Sequence, residues 1–136
     1  MNEREAEIER RIQASETRVC KAVFPFTTNH HDTLFGGQAL TWMDETAFIA
    51  ATRFCRKSLV TVSSDRIDFK HPIPGGSLVE LVAKVVKVGR TSLKVQVDIY
   101  VESMYTEGRE HAIAGQFSFV AIDDEKRPVP VLDDVA

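Results

Sequence analysis

The sequence predicts an α+β domain in which one long helix lies on a five-stranded antiparallel sheet. Three observations carry this. Residues 38–56 run without proline or glycine and place their apolar side chains at helical spacing. Four later stretches alternate or concentrate apolar residues at strand period, separated by short polar or glycine-bearing turns. Valine alone supplies 16 of the 136 residues, and β-branched side chains suit a pleated, half-buried surface. One domain's length is present, with ordinary globular composition (43% hydrophobic, 27% charged), so a disordered chain is excluded.

The elements follow in order. Residues 1–16 alternate acidic and basic side chains with few apolar anchors and read as a charged N-terminal arm, a short solvated helix or a frayed segment. Residues 19–26 read as a strand stopped by Pro25. Thr27 to Thr33 is a polar loop, and Leu34-Phe35-Gly36-Gly37 leads into the long helix. On that helix Leu40, Met43, Ala47, Ala50, Ala51 and Phe54 fall within one arc. Glu45, Thr41, Thr52 and Arg56 lie opposite, and Trp42 with Ile49 forms a second apolar patch. A helix apolar on two sides is central in its domain or shared with a partner chain. Strands are expected at 59–69, 78–88, 93–101 and 112–122, ending in a polar turn at 123–128. Residues 129–136 read as a C-terminal tail. The domain proper is 17–128.

Charge and composition narrow the function. Seventeen basic against twenty acidic residues give a net charge of −3, which argues against a dedicated nucleic-acid binder. No apolar run approaches the length of a membrane span, and residues 1–11 lack the apolar centre of a signal peptide. Cys20 and Cys55 form no CxxC, and two reduced thiols in a cytoplasmic protein are expected.

Four groups of residues could carry chemistry. Gly36 and Gly37 open the helix, where unpaired N–H groups and the positive end of the dipole suit an oxyanion or a polarised carbonyl; a plain turn relieved by glycine is the alternative. Asp44 flanks the apolar stripe and could act as general base or nucleophile, or merely pair with a nearby cation. Asn29-His30-His31-Asp32 lacks further ligands at metal spacing, so no metal is expected there; Asn29 could orient a water or a carbonyl, or close a turn. Gly89-Arg90-Thr91-Ser92 offers a guanidinium and hydroxyls to a phosphate, with a solvated hairpin as the alternative. Arg53, Arg56 and Lys57 add positive charge at the helix end.

Taken together, Thr28-Asn29, Leu34-Phe35-Gly36-Gly37, Trp42-Met43-Asp44, Val60-Thr61-Val62, Ile67-Asp68-Phe69, Pro72-Ile73 and Val88-Gly89-Arg90-Thr91-Ser92 resemble the hot-dog acyl-CoA thioesterases over residues 17–128. The branch is that of the bacterial YciA-like enzymes and the brain-type acyl-CoA hydrolases. The resemblance implies a hot-dog fold, with the sheet wrapped round the central helix, and hydrolysis of acyl-CoA to CoA and a carboxylic acid. It implies Asp44 as the catalytic carboxylate and Asn29 as its partner from the facing subunit. Gly36 and Gly37 would supply N–H groups to the thioester carbonyl, with Gly36 also against CoA. Arg90, Thr91, Ser92 and Arg53 would lie near the bound CoA. It further implies no cofactor beyond the CoA of the substrate, no nucleic-acid or membrane partner, and a homodimer at least, by family analogy a trimer of dimers. Many members carry glycine where this chain has Asp32, so the 30–33 loop departs from the pattern. Met43, Ala47 and Phe48 could line an acyl tunnel. A non-catalytic acyl-CoA sensor on the same fold is the rival, although such sensors carry a helix-turn-helix for which residues 1–16 are too short. A hot-dog dehydratase would want a histidine in register with the helix, and none is there.

Overall fold

The computed structural model describes residues 1–133. Its order is α1 (Glu3–Ser15), β1 (Thr17–Ala22), a short 3-10 turn (Pro25–Thr27), α2 (Gly36–Cys55), β2 (Leu59–Phe69), β3 (Ser77–Val88), β4 (Ser92–Ser103) and β5 (Glu110–Ala121). All five strands join one antiparallel sheet in the order β1-β3-β4-β5-β2. One face of it buries α2. Val79, Leu81, Ala83 and Val85 of β3, Leu93, Val95, Val97 and Ile99 of β4, and Phe117 and Phe119 of β5 meet Met43, Ala47, Ala50, Ala51 and Phe54.

The expected fold class holds, with a second helix added. The expected helix begins two residues early, so Gly36 and Gly37 lie inside its first turn with Phe35 as N-cap. It ends where Arg56 turns left-handed (φ 55°) and its N–H returns to Thr52 O at 2.7 Å. The second apolar patch is divided. Trp42 is buried, with Lys21 Nζ 5.1 Å from its ring centroid, whereas Ile49 is exposed beside Phe48.

The N-terminal arm is more than a solvated helix. Asn2 caps α1 by accepting from Glu5 N at 2.8 Å, and Ile8 and Ile12 pack on the core. Arg11 donates to Phe54 O at the C-terminal end of α2. The 129–136 tail is likewise docked as far as it is described. Val131 and Leu132 are buried, and Val129 N and Val131 N bond to Ala121 O and Arg90 O. Its last three residues lie outside the described residues.

The strand after α2 does not pair with its successor. β2 lies at the far edge beside β5, and residues 70–76 cross back past the start of α2 to reach β3. Pro72 and Pro74 hold that connection extended. β2 is irregular, with register shifts between Thr61 and Ser63 and between Asp65 and Asp68. In the second, Arg66 takes a left-handed backbone (φ 51°).

Candidate active site

The start of α2 is an open set of donors. Ala39 N makes the first helical bond, to Phe35 O at 3.0 Å, so the N–H groups of Gly36, Gly37 and Gln38 have no partner within the helix. Phe35 provides no side-chain cap, and the first turn holds no acidic residue. Neither glycine is demanded by the backbone, since positive φ among glycines occurs only at Gly76 and Gly108. A Cβ at Gly36 or Gly37 would meet its nearest neighbour, Phe69 or Phe35, only at 3.9 Å. Strain relief therefore does not explain the pair, while unobstructed access to the N–H groups does. A cavity of about 320 Å³ lies on the Gly36 side, lined among others by Leu34, Phe69, Ile73 and Ile113; one of about 290 Å³ lies on the Gly37 side.

Asp44 stands two turns along α2 on the flank that faces β2. Thr61 Oγ1 donates to its Oδ1 at 2.9 Å, and among the described residues nothing donates to the other carboxylate oxygen. Thr61 has no role that the sequence alone reveals. Its signal was a hydroxyl between two valines on a strand after the helix, which is ordinary until the fold sets it opposite a carboxylate.

Asn29 makes no hydrogen bond to Asp44 within the described residues. Its Oδ1 accepts from His31 N (2.9 Å), Thr33 N (3.2 Å) and Thr33 Oγ1 (3.2 Å), which closes the 29–33 turn and fixes the carboxamide. His30 and His31 lie on the surface with ring centroids 3.8 Å apart and ring planes tilted by 42°. Among the described residues no cluster of three or more His, Cys, Asp or Glu could hold a metal ion.

The expected CoA-binding residues fall at the two ends of α2. Gly36 begins α2. The Gly89–Ser92 turn sits at the other end, tied by Ala121 N to Thr91 O and by Val131 N to Arg90 O, while Ile122 N reaches Ser58 O just past α2. Twenty residues of helix separate these ends by about 30 Å. Arg90 is exposed, and Gly89 lets Ser92 fold back, since a Cβ there would stand 2.7 Å from Ser92 Oγ. Arg53 is drawn elsewhere: its guanidinium donates to Ala14 O, Glu16 O and Thr17 Oγ1, fastening the joint between α1 and β1. Cys55 beside it is buried, and that burial pushes its thiol above the usual range, while Cys20 is exposed; neither is in a disulfide.

Two apolar exposures remain. Phe48 of α2 is exposed on the flank that carries Asp44, and the edge strand β2 exposes Val60 and Val62 on the sheet face opposite Thr61.

Comparison with known proteins agrees with this geometry. Residues 31–107 match the family described as Thioesterase superfamily. An uncharacterized acyl-CoA thioester hydrolase of Bacillus subtilis, YkhA, is 41% identical over 128 residues, covering 88% of this chain and 74% of that protein. An acyl-CoA hydrolase of Staphylococcus aureus, solved with butyryl coenzyme A, coenzyme A and coenzyme A disulfide, is 35% identical. It superposes with a TM-score of 0.84, over 90% of this chain and 78% of that one. Variants of that enzyme with alanine at a threonine, an aspartate and an asparagine have also been solved. An apo-hexameric acyl-CoA thioesterase is 34% identical, with a TM-score of 0.84 over 88% of this chain and 76% of that one.

Proposed function

Because this chain belongs to the thioesterase superfamily, we infer that it hydrolyses acyl-CoA thioesters to CoA and a carboxylic acid, with Asp44 as the catalytic carboxylate. The observation that carries this is the pairing of Asp44 with Thr61 on the same face as an uncapped, glycine-opened helix start.

The two halves of the chemistry are too far apart in one chain. Gly37 and Asp44 are seven residues apart on α2, a rise of about 10 Å. A carbonyl oxygen on the N–H donor and a water on the carboxylate span only about 7 Å through one thioester carbon. A second copy paired antiparallel along the free edge of β2, beside the exposed Phe48, removes the difficulty. It brings the partner's helix start toward Asp44, and the fixed carboxamide of the Asn29 loop with it. The unit of function is then a dimer, and the hexameric relative supports an assembly of three such dimers.

In that site the helix N–H groups polarise the thioester carbonyl and hold the oxyanion that forms. Asp44, oriented by Thr61, either takes a proton from the attacking water or attacks the carbonyl carbon itself. Either way the tetrahedral intermediate collapses with loss of the CoA thiolate, and in the second case water then hydrolyses the acyl–Asp44 anhydride to the carboxylic acid and frees Asp44. The thioester needs no metal for this. CoA then runs from Asp44 toward the C-terminal end of α2, about 16 Å of helix, where Arg90, Thr91 and Ser92 can take its phosphates. A cytoplasmic setting goes with this reading, in keeping with two free thiols.

The test is release of free thiol from acetyl-, butyryl- and palmitoyl-CoA by the purified protein. Asp44→Asn keeps the shape of the side chain and should lower kcat by about 10² or more. Tight CoA binding with no turnover by the wild type would favour the sensor reading instead.

A further inference from the structure

We propose that Ile67, set on Gly115 against Met43, is the gate that decides how long an acyl chain the enzyme accepts. The proposal rests on the Asp44 reading above and adds to it the path of the acyl group.

If CoA leaves Asp44 toward the Arg90 end, the acyl group must leave the carbonyl carbon the other way. That direction follows β5 backward from Phe119, which pairs with Thr61, through Phe117 and Gly115 to Ile113. It enters the layer between α2 and the sheet. From Phe119 to Ile113 this face of β5 carries Phe119, Phe117 and Ile113, and Gly115 alone carries no side chain; it is the one glycine inside a strand. The floor is thus open at a single point, and two flexible tips fill the space above it. A Cβ on Gly115 would overlap Ile67 Cδ1 and would lie 3.0 Å from Met43 Cε.

The strand is shaped to deliver one of those tips. Asp65 pairs with Gln116 and Asp68 with Ala114, so Arg66 and Ile67 together oppose Gly115 as a bulge. Arg66 adopts its left-handed backbone there, a conformation disfavoured for a residue with a Cβ. The result is that Ile67 turns inward onto a glycine next to the residue that precedes Asp44. Beyond this plug, about 7 Å further along β5, Ile113 and Phe69 line the cavity of about 320 Å³ with Leu34 and Ile73. The plug therefore stands between the reacting carbon and a ready apolar space. Acyl groups that stop short of Met43 and Ile67 bind with the gate shut; longer ones must displace both tips to reach the cavity.

The experiment measures kcat/KM for straight-chain acyl-CoAs of 4 to 12 carbons, together with the affinities of the matching alkyl-CoA thioethers, which bind but cannot be hydrolysed. The variants are Ile67→Ala, Met43→Ala and Gly115→Ala. Opening the gate with Ile67→Ala should raise the 12-carbon to 4-carbon ratio by at least tenfold, since each extra buried methylene contributes about fourfold. Met43→Ala should move the ratio the same way, and Gly115→Ala should lower it. Thermal melting identifies any variant that has lost its fold, and Ile67, half-buried, is the safer of the two truncations. An unchanged ratio in folded Ile67→Ala, for turnover and thioether binding alike, overturns the gate. If the wild type hydrolyses none of the series, the Asp44 reading falls, and the thioether affinities alone decide whether the gate stands.

Discussion

Replacing Thr61 by valine removes one hydroxyl and keeps the shape of a β-branched strand residue, so the effect falls on Asp44 alone. The bond lost is a 2.9 Å donation to a carboxylate oxygen. Hydrogen bonds to charged groups contribute roughly 1.5–3 kcal/mol, and Thr61 is exposed within the chain, which favours the lower figure. About 1.5 kcal/mol in the transition state is a little over tenfold in rate. Thr61→Val should therefore lower kcat on butyryl-CoA about tenfold, with KM little changed, because the carboxylate is left in place but free to rotate. Thr61→Ser restores the donor and should recover most of the rate. In an Asp44→Asn background the valine should cost almost nothing further, since a positioning residue has no effect once its charge is gone. The assay is continuous thiol release by each folded variant. Wild-type kcat in Thr61→Val, or an equal loss in Thr61→Ser, would refute the positioning role.

Three further outcomes follow from the geometry. Mixing inactive Asn29→Ala and Asp44→Ala proteins under subunit exchange should recover part of the activity, because the hybrid holds one intact site; no recovery despite exchange confirmed by mass spectrometry counts against a shared site. Arg90→Ala should raise KM for acyl-CoA, more at low salt than at high, and leave hydrolysis of an acyl-pantetheine almost untouched, because that substrate lacks the nucleotide phosphates; equal loss of kcat on both would put Arg90 in the fold or the chemistry. Arg10 and Arg11 hold Glu7 down to about 2 from 4.5, so this link in α1 is complete above pH 4.5 and is lost as pH falls toward 2. Protection factors of the amides in residues 3–15, referred to the intrinsic exchange rate at each pH, should fall over that window, and Glu7→Gln should show the lower protection already at neutral pH.

Strands whose partners are local were legible in the sequence. The alternation of Leu93, Val95, Val97 and Ile99 identifies β4 because each of those residues is buried against α2, and β2 was placed at the bounds the structure gives. What pattern could not supply was the neighbour of β2. Leu59 to Phe69 would look the same beside β3 as beside β5, and the crossing is decided by a proline-bearing connection and the long helix it must pass. The docking of α1 was hidden because only Ile8 and Ile12 anchor it among thirteen residues dominated by charge. In the candidate site, Asp44 and the two glycines were visible as residue types on a helix. Thr61 and the Ile67–Gly115 contact were not, because each exists only when distant strands are brought against α2.

The free edge of β2 has a consequence for handling the protein. Its outer row of N–H and C=O groups has no strand beside it among the described residues, and Val60 and Val62 stand exposed along it. Such an edge templates whatever strand it meets, which is hazardous to a lone chain and useful to a paired one. Asp65, Arg66 and Asp68 break the run with charge, and the two register shifts keep the strand from lying flat, so indiscriminate stacking is discouraged. Dilution should then act as a mild denaturant: as copies separate, melting temperature and activity per chain should fall together, and stocks should be kept concentrated until the moment of assay.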